Sequence, residues 1–154
     1  MSDMASVSKI SRSKKETEEI ARGFLRRVLF SRIRKRAIVV GLSGELSAGK
    51  TAFVQAVGKL LRIKRKMPSP TFVIIRRYPL QGEPIENLFH LDAYRLKSGQ
   101  ELLYLGWREI IKNPKNLVLL EWPERVAKVM PKSHHQIEIS HIEKGRRGFK
   151  IKYV

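Results

Sequence analysis

The stretch that decides the fold is residues 44–51, which read Gly44-Glu45-Leu46-Ser47-Ala48-Gly49-Lys50-Thr51. A glycine opens the loop, and a second glycine is followed at once by a lysine and a threonine. This is the pattern G-x-x-x-x-G-K-[ST] of the phosphate-binding P-loop. Glycines let successive backbone N–H groups point into one concave turn, where they form a nest for an anion. The stretch therefore predicts a site for the phosphate tail of a nucleotide.

The residues on either side supply the two elements that a P-loop needs. Residues 37–42 are a short apolar run with β-branched side chains, which predicts a buried strand. After the loop, apolar side chains resume helical spacing at Phe53, Val54, Val57, Leu60 and Leu61. The helix would point the positive end of its dipole at the phosphates. We expect Lys50 to reach the β- and γ-phosphates and the Thr51 hydroxyl to bind Mg²⁺.

Two carboxylates stand at the ends of other strand-like runs. Residues 116–121 are mostly apolar and end in Glu121, and residues 88–92 end in Asp92. A P-loop NTPase needs an acidic side chain at the end of a core strand to hold Mg²⁺ or its waters. Asp92 could instead be a turn or cap residue, and Glu121 a solvent charge, but together in one small P-loop chain they become candidate metal ligands.

The remaining pattern predicts a three-layer α/β fold, with one P-loop domain in residues 14–154. Residues 14–29 have helical spacing and acidic side chains in the first turns. We expect a mainly parallel sheet with antiparallel additions, formed by residues 71–78 with 86–91 and by a terminal hairpin within 136–154. The nucleotide should sit at the carboxyl ends of the strands. Residues 1–13 are small, polar and basic, which predicts a flexible tail.

The composition excludes several classes of protein. A chain of 154 residues with 42% hydrophobic side chains can form one domain with a real core. The absence of cysteine excludes a disulfide framework, a zinc–cysteine site and a cysteine nucleophile, and it fits a reducing compartment. No apolar run reaches the roughly 20 residues that span a bilayer, and no signal peptide is evident. We expect a cytoplasmic protein without membrane contact, although a basic transit peptide stays open.

The charge is the unusual feature of the composition. The chain has 32 Lys and Arg against 14 Asp and Glu, a net charge of +18. Such a field attracts polyanions, so nucleic acid, nucleotides, acidic proteins and anionic membranes are candidate partners. A bias towards Lys and Arg without a binding role explains it equally well. The four histidines have no metal-ligand spacing, and His90 on its strand is interpreted as structural.

Four ordered motifs resemble those of the TsaE (YjeE) family, small bacterial P-loop ATPases of tRNA threonylcarbamoyladenosine synthesis. The family's G-D-L-G-A-G-K-T-T loop corresponds to residues 44–52, and its S-P-T-[FY] segment corresponds to residues 69–72. Its H-x-D-x-Y-R-L and E-W-P segments correspond to residues 90–96 and 121–123. The resemblance covers about residues 14–154, almost the whole chain, and four motifs in order are far more specific than one loop.

The resemblance implies a role for each matching residue of the phosphate site. Residues 44–51 would cradle the triphosphate of ATP, with Lys50 at the transferred phosphate. Thr51 and Glu121 would coordinate Mg²⁺. Asp92 resembles the family's essential carboxylate, near the Mg²⁺ and the attacking water.

Other positions match the family around this site. Thr71, a hydroxyl on a loop stiffened by proline, resembles a switch that senses the γ-phosphate, although it could be a plain strand boundary. Trp122 would lie beside the nucleotide. Thr17 in the first helix resembles, loosely, a threonine near the adenine base. Arg146 or Arg147 falls in a similar C-terminal Gly-Arg segment without an assigned role.

The chain departs from the family pattern at three loop positions. Glu45 replaces an aspartate, Ser47 replaces a glycine, and Ala52 replaces the second threonine. Serine adopts a positive φ less readily than glycine, so Ser47 is unfavourable if its position needs a positive φ. We expect nucleotide binding to survive, because the Mg²⁺ hydroxyl belongs to Thr51.

The function implied by the resemblance is an accessory ATPase. It would bind the TsaD–TsaB pair and use ATP hydrolysis to reset that enzyme, without transferring the threonylcarbamoyl group itself. Hydrolysis should be slow alone and faster with partners, because no arginine finger is evident and Arg95 and Arg125 are unassigned. ATP rather than GTP rests on the resemblance, since the chain has no N-K-x-D guanine motif.

Two alternatives remain open from the sequence. The first is a small P-loop kinase for a metabolite, in which Arg76 and Arg77 would serve the lid. The second is an RNA-binding module, because the basic surface could contact tRNA, although aromatic side chains are only 8% and RNA-binding motifs are missing. The oligomeric state is not predicted.

Overall fold

A computed structural model describes residues 5–30, 33–82 and 84–154. Within them one mixed sheet has the order β1-β7-β6-β2-β5-β4-β3. Its strands are β1 (Ser6–Ser11), β2 (Ile38–Ser43), β3 (Ile75–Pro79), β4 (Asn87–Asp92), β5 (Asn116–Glu121), β6 (His135–Ile142) and β7 (Arg146–Lys152). The central pairs β6–β2, β2–β5 and β5–β4 are parallel, whereas β3, β7 and β1 join antiparallel.

Helices cover both faces of this sheet. They are α1 (Lys14–Leu29), α2 (Lys50–Leu60), α3 (Gly99–Tyr104), α4 (Trp107–Lys112) and a 3₁₀ helix (Pro123–Val129). Phe24 of α1 and Phe53 of α2 lie in one apolar core, and Trp107 of α4 lies in the other. Strand β2 sends alternate side chains into the two cores, which explains its continuous apolar run. The three-layer α/β fold is therefore confirmed. No helix in the described ranges is long and apolar enough to cross a membrane.

The prediction of a flexible tail over residues 1–13 is wrong where the structure describes it. Residues 6–11 form β1, which pairs antiparallel with β7 in a register from Ser6–Lys152 to Ser11–Arg147. Strand addition at a sheet edge uses backbone hydrogen bonds, so it does not require an apolar pattern. Only Ser11 of this strand is buried, and the polar composition therefore concealed it. Residues 1–4 lie outside the described part of the chain.

One strand boundary and one strand direction also differ from the sequence prediction. Strand β3 starts at Ile75, not at residue 71, because Pro70 O accepts hydrogen bonds from Val73 N and Ile74 N in a turn. The terminal hairpin forms, but its first strand β6 lies parallel to β2. Strand β6 runs in the same direction as β2, the strand before the P-loop. The antiparallel pairs on that side of β2 are therefore β6–β7 and β7–β1.

A histidine at the start of β6 is packed so that it favours the neutral ring. The ring centroid of His135 lies 6.4 Å from Phe24 and 5.9 Å from Tyr153. Its Nδ1 accepts a hydrogen bond from the backbone N–H of Val154 at 3.2 Å, which requires an unprotonated Nδ1. Burial, and then the charges of His134 and Arg27, lower the pKa of His135 from 6.5 to about 4. Folding therefore opposes protonation of this ring.

The stability of the chain should consequently fall in acid. Between pH 6.5 and about 4 the unfolded chain binds the proton and the folded chain does not, so this contribution is complete above pH 6.5 and is lost as the pH falls through 4. We expect a loss of about 2 kcal/mol, reduced from the full shift because the ring is partly exposed. Urea unfolding of the wild type and of His135→Gln at pH 7.5 and pH 4 measures it. The exposed His141→Gln is the control, and parallel curves for wild type and His135→Gln would contradict it.

Candidate nucleotide-binding site

The predicted P-loop connects β2 to α2 at the carboxyl edge of the sheet. Its two glycines have backbone angles that other residues rarely adopt, φ +144° at Gly44 and φ +113° at Gly49. A Cβ atom on Gly44 would lie 2.2 Å from the carbonyl oxygen of Ile139 in β6. The neighbouring strand thus leaves no room for a side chain at the start of the loop.

Ser47 also has a positive φ, 64°. The position therefore holds a left-handed conformation, in which serine costs about 1 kcal/mol relative to glycine. The loop nevertheless has its expected place between β2 and α2. Glu45 is exposed, whereas Ala48 is buried in the apolar core and attaches the middle of the loop to it.

The stability of the loop depends on Gly44. We expect Gly44→Ala to lower the free energy of unfolding by about 3 kcal/mol, because of the backbone clash and the positive φ. Gly23→Ala is the matched control, since Gly23 lies in α1 and no described atom outside its own helix backbone lies within 4 Å of its missing Cβ. That change should raise stability by about 0.5–1 kcal/mol. Urea unfolding measures both, and a neutral Gly44→Ala would show that the loop can shift away from β6.

Lys50 is held inside the loop by its own backbone. Its Nζ donates to Gly44 O and, at 2.8 Å, to Glu45 O, and it lies 4.1 Å from the centre of the Trp122 ring. Burial lowers the pKa of Lys50, and the nearby carboxylates of Glu121, Glu124 and Asp92 oppose that shift. The ammonium group is thus positioned where the loop carbonyls and an incoming phosphate can both accept from it.

The two predicted carboxylates lie side by side. Strands β4 and β5 are parallel neighbours in a register that pairs Asp92 with Glu121, and Glu121 also pairs with Leu42 at the end of β2. The Thr51 hydroxyl donates to Glu121 Oε2 at 3.0 Å. These oxygen donors fit Mg²⁺, which prefers carboxylate, hydroxyl, phosphate and water oxygens. In the described chain no three His, Asp or Glu side chains gather as a metal cluster, so phosphates and waters would have to complete the shell.

Glu121 has a second partner that the sequence reasoning missed. His90 is fully buried, and its Nε2 lies 2.6 Å from Glu121 Oε2. Its Nδ1 has no hydrogen-bond partner among the described residues. The interpretation of His90 as structural was therefore incomplete, because the ring orients the carboxylate of a candidate metal ligand. The available signal was the spacing: His90 and Asp92 are two residues apart on a strand and face the same side.

The segment predicted to act as a switch contacts Asp92 directly. Thr71 Oγ1 donates to Asp92 Oδ2 at 2.8 Å and lies 2.7 Å from the hydroxyl of Ser69. The other oxygen of Asp92 accepts from the backbone N–H of Tyr94 at 2.9 Å. Ile74, at the end of this turn, has φ 70°, which is strained for a β-branched residue. The carboxylate thus joins a strained loop to the end of β4.

Two cavities adjoin at this edge of the sheet. The phosphate cavity, about 340 Å³, is lined by the P-loop together with Ser69, Thr71, Asp92, Glu121 and Trp122. The second cavity, about 440 Å³, is lined by α1 and α2 and contains Thr17. Ala52 and Arg147 line both. Thr17 is thus outside the phosphate cavity; it is buried, and its hydroxyl is 2.7 Å from that of Ser11.

The sequence left Arg95 and Arg125 without an assigned role, and the structure places both outside the two cavities. Arg95 stacks over Phe72 at 4.4 Å, and Arg125 lies over Tyr94 at 5.4 Å; neither lines either cavity. Arg147 of β7 lines both cavities instead. Its placement depends on the register of the terminal hairpin, which a sequence pattern does not fix.

A strand, a glycine loop and a helix N-terminus thus enclose a phosphate cavity beside two carboxylates, and this arrangement defines a P-loop nucleotide-binding protein. Comparisons with known proteins identify its family. Residues 11–149 match the family described as "Threonylcarbamoyl adenosine biosynthesis protein TsaE". The chain belongs to this family, and its role therefore lies in tRNA threonylcarbamoyladenosine biosynthesis.

Individual relatives agree with this assignment. The chain is 32% identical to the TsaE protein of Rickettsia prowazekii over 136 residues, which cover 88% of this chain and 87% of that protein. It is 38% identical to the TsaE protein of Nostoc sp. over 117 residues, covering 73% and 68%. The crystal structure of Bacillus subtilis YdiB superposes with a TM-score of 0.75 at 25% identity, covering this whole chain and 89% of YdiB.

Proposed function

We propose that this chain is a cytoplasmic, Mg²⁺-dependent ATPase that acts as an accessory subunit and resets the TsaD–TsaB pair between turnovers. The observation that carries the proposal is the convergence of Lys50, Thr51, Thr71, Asp92 and Glu121 on one cavity. A phosphate-binding loop alone would serve many functions. A loop that meets two strand-end carboxylates and a hydroxyl also has the groups that hydrolysis requires.

The binding step uses the loop and the helix behind it. The backbone N–H groups of residues 44–51 and the N-terminus of α2 would hold the triphosphate, with the base in the cavity that contains Thr17. Lys50 would exchange its contacts with the loop carbonyls for phosphate oxygens. Trp122, whose ring lies against the Lys50 ammonium, would shield that contact from water.

The metal step belongs to three oxygen-bearing side chains. Thr51, Glu121 and Asp92 would hold Mg²⁺, which supplies neutralisation of the charge on the phosphates when it is bound. His90 fixes the orientation of Glu121 from inside the sheet. The carboxylates are thus arranged before the nucleotide arrives, so little reorganisation is needed.

The hydrolytic step depends on how Asp92 and Thr71 are paired. The carboxylate of Asp92 would orient the attacking water and accept its proton, since it lines the phosphate cavity with one oxygen on Thr71. Thr71 would keep Asp92 in this orientation and report the γ-phosphate through the turn that follows. The one guanidinium on the described cavity wall is that of Arg147, which lies over Gly49. No second arginine among the described residues lines this wall to stabilise charge on the γ-phosphate, so we expect slow turnover without partners.

The experiment that tests this proposal is Mg²⁺-dependent ATP hydrolysis by the purified chain, alone and with its own TsaD and TsaB. Slow phosphate release that rises when both partners are added is the expected result. Fast hydrolysis without partners, or no hydrolysis under any condition, would contradict it. Radiolabelled γ-phosphate appearing on a metabolite would favour the kinase alternative. Arg76 and Arg77, assigned to the lid in that alternative, do not line the phosphate cavity.

We further propose that tRNA contacts a basic cleft at the opposite edge of the sheet. The cleft, about 440 Å³, lies beside the start of β2 and is lined by Arg27, Arg34, Lys35, Arg36 and His134. The double variant Lys35→Gln/Arg36→Gln should weaken tRNA binding. The slope of the logarithm of the binding constant against the logarithm of the salt concentration should become shallower by about two. Filter binding at several salt concentrations measures the slope. An equal effect from Lys97→Gln/Lys128→Gln, on exposed lysines outside the cleft, would show that the charge acts diffusely.

A further inference from the structure

Arg147 lies on β7 at the height of the P-loop. Its strand neighbours are Ser11 of β1 and His141 of β6. Phe149, two residues further on and on the same face, packs against Phe53 of α2 at 5.8 Å. The strand therefore turns the Arg147 side chain towards α2 and the loop that begins it.

The guanidinium group lies directly over the glycine that ends the loop. A Cβ atom on Gly49 would be 2.5 Å from Arg147 Nη1 and 3.0 Å from its Cζ. Gly49 is the N-cap of α2, so Arg147 adds a full positive charge to the positive end of that helix. The Arg147 guanidinium and the positive end of the α2 dipole repel each other, and the fold holds them together at Gly49.

Arg147 is half-buried, and no acidic side chain among the described residues pairs with it. Nothing in the described chain forms a hydrogen bond or an ion pair with its guanidinium, which has five N–H donors. By contrast, Lys59, which lines the cavity that contains Thr17, is paired with Glu18 at 2.8 Å. A partly desolvated cation without an acceptor is unfavourable unless a ligand supplies one. An anion that enters the cavities would supply that acceptor.

We propose that Arg147 binds the α-phosphate of the nucleotide. This inference rests on the proposed function, in which the base occupies the Thr17 cavity and the terminal phosphates lie at Lys50. Of the described residues, Ala52 and Arg147 line both cavities, so the part of the ligand that joins them must pass Arg147. That part is the ribose and the α-phosphate. A guanidinium pairs with two phosphate oxygens at once, which selects the phosphate over the neutral sugar.

Arg147 and Lys50 should differ in which nucleotide affinities depend on them, because they contact different phosphates. AMP, ADP and ATP all carry the α-phosphate, so Arg147→Ala should weaken all three by a similar factor, about 10- to 100-fold. In ATP hydrolysis the loss should appear mainly as a higher KM for ATP and only weakly in the turnover number, because the contact is the same in the ground state and the transition state. Arg147→Lys should recover part of the affinity, since it keeps the charge without the fork.

The test is titration calorimetry with AMP, ADP and ATP, together with ATP hydrolysis, on the full chain. Arg146→Ala is the matched control, because its Nε donates to the backbone oxygen of Glu143 and its side chain lines neither cavity. Thermal unfolding without nucleotide verifies the fold, and Arg147→Gln is a second neutral variant if Arg147→Ala does not fold.

Three results would overturn the assignment. Unchanged affinity in Arg147→Ala and Arg147→Gln would show that the residue does not touch the ligand. Loss of ATP but not ADP affinity, or a large fall in the turnover number, would place it at the γ-phosphate instead. A wild-type chain that binds no nucleotide would refute the proposed function itself, so the two failures are distinguishable.

Discussion

Replacing Lys50 with methionine is expected to lower ATP hydrolysis by about 100- to 1000-fold. The ammonium group is the cation of the loop that would face the transferred phosphate, and charge stabilisation of that kind usually contributes two to three orders of magnitude. Methionine keeps an unbranched apolar stem in the buried space against Trp122, so the fold should survive. Phosphate release at saturating ATP and Mg²⁺ measures the effect.

The control for this experiment is another lysine. Lys128 is exposed at the end of the 3₁₀ helix, away from both cavities, and Lys128→Met should hydrolyse ATP at the wild-type rate. Lys50→Met also frees Gly44 O and Glu45 O from their donor, so its unfolding temperature should be recorded in parallel. Wild-type hydrolysis in a folded Lys50→Met chain would mean that the reaction takes place elsewhere than at the P-loop.

The features that could be predicted from the sequence are those that local chemistry determines. The P-loop needs a strand, two glycines at special angles and a helix, and all of these lie within 37–61. Asp92 and Glu121 could be placed at one sheet edge because each ends an apolar run, and parallel strands present their carboxyl ends together. Thr71 could be selected as a candidate because it carries a hydroxyl on a loop that Pro70 stiffens.

The features that could not be predicted depend on contacts distant in sequence. Strand β1 is polar and pairs through its backbone with β7, almost at the other end of the chain, so no local pattern marks it. The contact between His90 and Glu121 depends on the alignment of two strands. Arg147 is one of 32 basic residues, and only the hairpin register brings it over Gly49. Long-range register thus determines which of many similar side chains enters the site.

Replacing Asp92 with asparagine should lower ATP hydrolysis by about 100-fold, while the affinity for ADP measured without Mg²⁺ should change by less than about threefold. The amide is similar in size, and its oxygen can still accept from the N–H of Tyr94, but it cannot take a proton from water. Thr71→Val removes the hydroxyl that holds Asp92 and keeps the side-chain shape. Because that change alters only the orientation of the carboxylate, the loss should be smaller, about 10-fold.

The double variant decides whether the two side chains act as a unit. If Thr71 works only through Asp92, the chain with both changes should be no slower than Asp92→Asn alone, because the orienting hydrogen bond no longer has a carboxylate to hold. Single-turnover hydrolysis with excess enzyme measures all three variants without the complication of product release. Additive losses would show that Thr71 contacts the phosphate independently, and equal rates in wild type and Asp92→Asn would remove Asp92 from the reaction.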